Sequence, residues 1–483
     1  MLSAYELSAN FYDEMLTATG GIRDHYAGVC RVLSGMDPVN LSKRQQIIEN
    51  QIVREGVTFT LYNGGGDALE RTIPFDIIPR IVSATEWKHL EQGLTQRVKA
   101  INLFLHDIYH EQNILKDEII PRKMIVTNCY FRPEMVEMDV PGGTYIPFSG
   151  IDLIRDTDGT YYILEDNLRS PSGISYLFKN RALMRRLFPE LFQEYQVQSL
   201  SYSVQRFLTT LRSLAPGDTL SPKVVLLTPG CYNSAYYEHT YLARKMGIDL
   251  VEGRDLTVID HYVYLKTMQG LEKVDVIYRR IDDDFLDPIA FRPDSVLGVP
   301  GLMNAYRAGN VAIANAPGTG VADDKAIYTY VPEMIRYYLQ EEPIIPNVPT
   351  YIMSNKKDRE LVLSQLDKMV VKETSLSGGY GMLIGPHATE KEREDFARNI
   401  MAAPDKYIAQ PTINLSCVPS LYQDTIVPRH VDLRPYILMD ANQEVHVVPG
   451  GLTRVALKPG SLVVNSSQGG GSKDTWVLKE APL

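Results

Sequence analysis

The chain has 483 residues, more than one hydrophobic core usually holds, so roughly two to four domains are expected. Hydrophobic residues make up 44% and charged residues 22%, as in an ordinary globular protein, and the net charge of −10 argues against nucleic acid or an anionic membrane as partner. Cys30, Cys129, Cys231 and Cys417 form no CxxC pair, no basic n-region precedes an apolar run, and no stretch is long and apolar enough to span a bilayer. A soluble cytoplasmic protein with free thiols and no zinc site is the expectation.

Residues 4–15 and 43–55 read as helices. The glycines at 64–66 lie in a loop that lacks the Lys-Ser/Thr sequel of a P-loop. Ser83 with Glu86 makes a capping box, and Trp87, Leu90, Leu94, Val98, Ile101, Leu105 and Ile108 then recur at steps of three and four. That is an amphipathic packing helix, although Asp76, Arg80, Gln96 and Arg97 could face a site. Residues 123–128 read as a strand.

The stretch 150–173 carries the sharpest local pattern. Residues 150–154 and 161–164 alternate as strands around the turn Asp156-Thr157-Asp158-Gly159. Alternation puts Glu165 and Asn167 on one side, and a closed hairpin lets Asp152 reach that side as well. Two carboxylates and an amide oxygen suit a hard cation such as Mg²⁺ bridging phosphates, and an ordinary hairpin with a wet polar face fits the same residues.

Residues 176–192 read as a helix with a solvated basic face, and the Pro, Gly, Ser and Asp of 213–222 mark a boundary. Strands at 223–228, 248–251, 263–266, 274–278 and 311–315, with a helix at 234–246, give a βαβ rhythm and hence a parallel sheet. Ligands sit at the carboxyl ends of such strands, so residues 230–238, Arg279, Arg280 and Asp282 are candidates for substrate contact or for loop ion pairs. Asp323, Asp324 and Lys325 head a helix interrupted at Pro332. An apolar strand at 366–371 delivers Lys372, followed by Ser377-Gly378-Gly379-Tyr380-Gly381. A lysine offers a point charge to phosphate, and glycines let bare N–H groups approach it, so a nucleotide lid and a plain glycine hairpin both remain open. Residues 407–413 enter a bend at Pro411. Asp432 and Arg434 then share one face of a strand, and Arg454 and Asn465 lie near further glycines.

Together, Lys325, Lys372 before its glycine loop, Gln410, Asp432-x-Arg434, Asn465 and Asp152 with Glu165-x-Asn167 resemble the ATP-grasp superfamily. Most of that superfamily places the metal carboxylates last, whereas here the hairpin comes first. The chain therefore resembles the circularly permuted ATP-grasp proteins, relatives of the glutathionylspermidine synthetase group, and the block from Pro74 to Arg97 resembles them too.

The resemblance implies an α/β, α+β architecture: a circularly permuted ATP-grasp fold with a Rossmann-like parallel-sheet domain inserted between its halves. The expected boundaries are a mostly helical segment 1–130, the hairpin part 131–215, the Rossmann-like part 216–320, and the lid and phosphate-binding sheet 321–483. The implied activity is ATP-dependent ligation of a carboxylate to an amine, small molecules or peptides, through an acylphosphate. A phosphotransferase and a non-catalytic ATP-binding module are the alternatives. By the same resemblance, Asp152, Glu165 and Asn167 hold Mg²⁺, and Lys325 and Lys372 hold ATP phosphates under a lid of Ser377, Gly378, Gly379 and Gly381. Gln410 to Ile413 read adenine, and Arg434, with Arg454 second, stabilises the transferring phosphoryl group. Gly150 stands where several such ligases carry an arginine, which leaves Arg434 or Arg169 to serve. General base and oligomeric state are not indicated.

Overall fold

The computed structural model describes residues 5, 10–62, 68–374, 381–458, 461, 464 and 470–480. Its centre is a seven-stranded sheet in the order Phe75–Val82, Gly471–Val477, Val445–Val455, Thr425–Met439, Phe148–Arg155, Tyr161–Asn167, with Cys417–Tyr422 paired to the start of Thr425–Met439. One sheet thus draws strands from near the front of the chain and from its last quarter. The seam is set by register: Leu433 opposes Leu153, Tyr436 opposes Gly150 and Ile437 opposes Ser149. Only the Phe75–Val82 and Gly471–Val477 pair runs parallel within this sheet.

The long helix Ala84–Tyr109 begins at the expected capping box, with Ser83 and Glu86 satisfying each other's backbone N–H groups. Its periodic residues from Trp87 to Ile108 are buried. Arg97 spans from this helix to Asp166 through two bonds of 2.7 and 2.6 Å, clamping the back of the hairpin. The other polar residues considered for a site are also committed: Arg80 to Glu14, Asp76 to Lys473 and Gln96 to Glu341.

A four-stranded parallel sheet has the order Ala312–Ala314, Val276–Arg279, Val224–Leu227, Asp249–Val251. The strand expected at 263–266 is not part of it. Asp260 and His261 take positive φ (49° and 65°) and close a tight hairpin between Leu256–Ile259 and Tyr262–Thr267, inside a separate antiparallel sheet. A smaller antiparallel sheet of Tyr351–Ile352, Tyr407–Pro411, Met369–Glu373 and Met382–Ile384 carries its own core of Met353, Val362, Leu366, Val371, Ile400 and Ala409.

Three other expectations are corrected. Residues 10–15 are not helical: Asp13 bridges Cys417, and its carboxylate takes the N–H groups of Met15 and Leu16 in a local turn. Residues 123–128 are not a strand: 123–126 belong to a short helix, Arg122–Val126, led by Pro121, and the helix ends at Thr127. Asp323 ends the 3₁₀ turn Thr319–Asp323, and Asp324 and Lys325 follow it before a second turn, Ile327–Tyr330. Pro332 lies in the first turn of the helix Val331–Met334 instead of interrupting one, since proline suits a first turn where no N–H partner is needed.

Candidate active site

The hairpin of Phe148–Arg155 and Tyr161–Asn167 turns where expected, with Gly159 at φ 86°. Gly150 opposes Asn167 and Asp152 opposes Glu165, but Leu153 opposes Ile163, so Leu164 is an extra, bulged residue. Asp152, Glu165 and Asn167 therefore share a face, and Asp166 turns to the opposite one toward Arg97.

Asp152 is 1% exposed and is gripped by two guanidinium groups. Arg434 donates from Nε and Nη2 at 2.5 and 2.7 Å, and Arg454 from Nη2 at 2.7 Å. Arg454 also donates from Nε to Asp432 at 2.9 and 3.0 Å, while Arg80 caps the Asp432 carbonyl at 3.0 Å. Burial alone would raise both carboxyl groups. At Asp152 the two arginines outweigh it and hold the group down at about 2, whereas at Asp432 burial prevails and the shift is upward. Gly150 explains how Arg434 reaches this position: a Cβ there would lie 3.3 Å from its Cδ and 3.2 Å from Pro171. The arginine of the neighbouring strand occupies the space above a residue with no side chain. Arg169, the alternative, lies elsewhere, over the ring of Tyr130 at 4.6 Å.

Lys325 stands 3.7 Å from Glu165. Lys372, on Met369–Glu373, donates to Gln410 Oε1 at 2.8 Å, and Gln410 in turn donates to Thr350 at 3.0 Å. Burial pushes the Lys372 ammonium down to about 8, with the positive charge of Lys325 adding to it and the negative charges of Glu165 and Asp152 opposing it. That mutual influence brings the front hairpin and the lysines of the last third of the chain into one electrostatic neighbourhood. Ser377, Gly378, Gly379 and Asn465 lie outside the described residues, and Gly381 leads into Met382–Ile384 at φ 64°. Ile413 packs against an apolar group formed by Ile154, Val348, Leu415, Ala456 and Val464, together with Tyr162 and Leu164. Apart from Ile413, these members were not singled out in the sequence. Ile154 was reachable by alternation from Asp152, whereas the bulge that presents Leu164 leaves no sequence signal.

The donor set fits a hard cation. Among the described residues no three His, Cys, Asp or Glu side chains converge on one point, so any cation here would rest on two carboxylates and an amide. The buried Nδ2 of Asn167 has no hydrogen-bond partner. Because the two ends of an amide are interchangeable in assignment, that orphaned position accommodates either Nδ2 against a phosphate oxygen or Oδ1 against a cation.

Of the residues expected at the strand ends of the parallel sheet, Arg279, Arg280 and Glu238 serve the framework. Arg279 donates to the carbonyls of Asn315, Ile281 and Ala316 and pairs with Asp283 at 2.7 Å. Arg280 binds the Pro171 carbonyl and Glu238, and Glu238 accepts from the N–H groups of Gly173 and Ser175. They fasten this sheet to the loop that follows the hairpin.

The sequence profile described as circularly permuted ATP-grasp type 2 matches residues 79–456. An uncharacterised protein of Synechocystis sp. PCC 6803 is 52% identical over 478 residues, covering 99% of each chain. One from Mycobacterium tuberculosis H37Rv is 50% identical over 473 residues, 98% of this chain and 85% of that one. A Frankia alni protein with the provisional name glutamate–cysteine ligase is 41% identical over 478 residues, and this chain spans about half (54%) of its length. The fold is similar to that of a glutathione synthetase-like effector from Globodera pallida, at a TM-score of 0.59 and 12% identity, covering 92% of this chain and 98% of that one.

Proposed function

This chain belongs to the circularly permuted ATP-grasp type 2 family, and on that premise we propose that it is an ATP-dependent ligase joining a carboxylate to an amine. The observation that carries the reading is the set of contacts that join Asp152 to Arg434 and Arg454 and Glu165 to Lys325, with Lys372 within electrostatic reach of both carboxylates. The provisional ligase names of two Frankia relatives point the same way, although this chain spans only about half of each. We read 131–215 and 321–483 as the two parts of the permuted nucleotide fold, and 216–320 as a Rossmann-like insert behind an N-terminal segment 1–130.

In this reading Lys325 and Lys372 hold phosphate oxygens, and the apolar group around Ile154, Val348 and Ile413 receives the adenine beside Gln410. Glu165, Asn167 and Asp152 would hold Mg²⁺, which supplies charge neutralisation across the β- and γ-phosphates. The substrate carboxylate oxygen attacks the γ-phosphorus, the bond to ADP breaks, and an acylphosphate results. The amine nitrogen then attacks the acyl carbon, inorganic phosphate leaves, and the nitrogen gives up a proton as the amide forms. Arg434 and Arg454 place positive charge where the phosphoryl group and the tetrahedral oxyanion develop charge.

Hydroxylamine tests this directly. With ATP, Mg²⁺ and candidate acids, hydroxamate accompanied by ADP supports the ligase, a stable phosphorylated product supports a phosphotransferase, and bound ATP with no turnover supports a binding module.

Lys372 makes a separate prediction. Its ammonium loses its proton near pH 8, so nucleotide affinity should fall as pH rises from 7 to 9. Lys372→Ala should bind nucleotide more weakly at pH 7 and show a flatter pH profile. Calorimetric titration showing wild-type affinity for the variant would remove this lysine from the phosphate site.

A further inference from the structure

Next to the hairpin, one charged cluster is left without a role by the assignments above. Arg169 lies two residues beyond Asn167, its guanidinium 4.6 Å above the Tyr130 ring. The nearest carboxylate oxygens belong to Asp282 at 3.4 Å and Asp323 at 3.7 Å. Both distances exceed the roughly 2.7–2.9 Å of a charge-assisted hydrogen bond. Arg279 by contrast donates to the Asn315 and Ile281 carbonyls at 2.7 and 2.8 Å, and Arg434 to Asp152 at 2.5 and 2.7 Å. Arg169 is held in place without being consumed.

The three groups come from three parts of the chain. Arg169 continues the strand that bears Glu165 and Asn167. Asp282 follows the carboxyl end of Val276–Arg279, where a parallel sheet presents ligands. Asp323 precedes Lys325, which is itself 3.7 Å from Glu165. Asp323 is already engaged, accepting the Leu168 N–H at 2.6 Å, and so positions the turn that carries Arg169. Asp282 is 51% exposed and Arg169 22%, so a solute can reach both.

We propose that Arg169 and Asp282 are the recognition pair for a free α-amino acid, Arg169 taking the α-carboxylate through its two-pronged fork and Asp282 taking the α-ammonium. The inference rests on the ligase reading and names its substrate class. A plain diamine would be repelled by Arg169, and a dicarboxylate without an amino group by Asp282 and Asp323. A zwitterion replaces one loose ion pair with two charge-assisted contacts, beside the residues assigned to the γ-phosphate.

The test is calorimetric titration of the intact protein, with Mg²⁺ and a non-hydrolysable ATP analogue, against the twenty free amino acids and their N-acetyl and carboxamide derivatives. At least one free amino acid should bind, with each derivative about 10²-fold weaker or more, because a site built for a polar group rejects an analogue lacking it. Asp282→Asn should erase the penalty on the N-acetyl form and keep that on the amide, and Arg169→Met should do the reverse. Arg169→Lys retains the charge without the fork and should fall between the two, which serves if the methionine variant does not fold. Derivatives binding as well as the free amino acid, or variants weakening all three alike, would reduce the pair to a clasp between sheet and hairpin. Nucleotide binding with no amino-acid binding overturns the pair and leaves the ligase reading standing. Intact discrimination with no hydroxamate from any acid overturns the ligase reading instead.

Discussion

Glu165→Gln is expected to lower kcat by about 10²–10³-fold or more, the cost of losing one preorganised charge at a phosphoryl-transfer site. The substitution keeps the shape of the side chain. Glu165 is 27% exposed and its recorded ion pair, to Lys325, is 3.7 Å long, so little folding energy depends on it. The midpoint of urea unfolding should stay near that of the wild type. Metal binding should weaken in parallel, which Mn²⁺ titration by electron paramagnetic resonance reads without turnover. Unchanged turnover together with unchanged Mn²⁺ affinity would remove Glu165 from the assigned role.

Arg454→Met should act mainly on stability. Arg454 lies between the buried carboxyl groups of Asp152 and Asp432, and removing it leaves the two facing each other with Arg434 alone to compensate. Breaking such a pair costs about 3–5 kcal/mol. The pH dependence has a definite sign. In the wild type Asp152 is held at about 2, below its usual 3.8, so its contribution is fully present above pH 4 and is lost only as pH falls toward 2. In the variant one carboxyl of the pair must take a proton, which raises its pKa, so stability should decline as pH rises from 5 to 8. Urea unfolding at the two pH values tests this, and an equal loss at both would contradict the assigned coupling.

Glu238 and Arg280 illustrate why polar residues at strand ends mislead. Their chemistry suits a substrate, and nothing local separates a charge facing solvent from one locked to a loop more than 60 residues away. The same limit applies at 263–266. An apolar run fits a parallel or an antiparallel sheet equally, and the decision fell to two residues at positive φ in the preceding turn.

By itself the sequence determined what depends on short range. Alternation put Asp152, Glu165 and Asn167 on one face, the three-and-four spacing and the Ser83–Glu86 box specified the long helix, and the order of motifs indicated a permuted nucleotide fold. Tertiary structure alone decided the bulge at Leu164, the passage of Arg434 over Gly150, and the Asp152–Arg454–Asp432 cluster, whose members are up to 302 residues apart. Periodicity reports which way a side chain points from its own backbone. Which charge it meets there is set by the register between distant strands, and that register is settled only when the sheet closes.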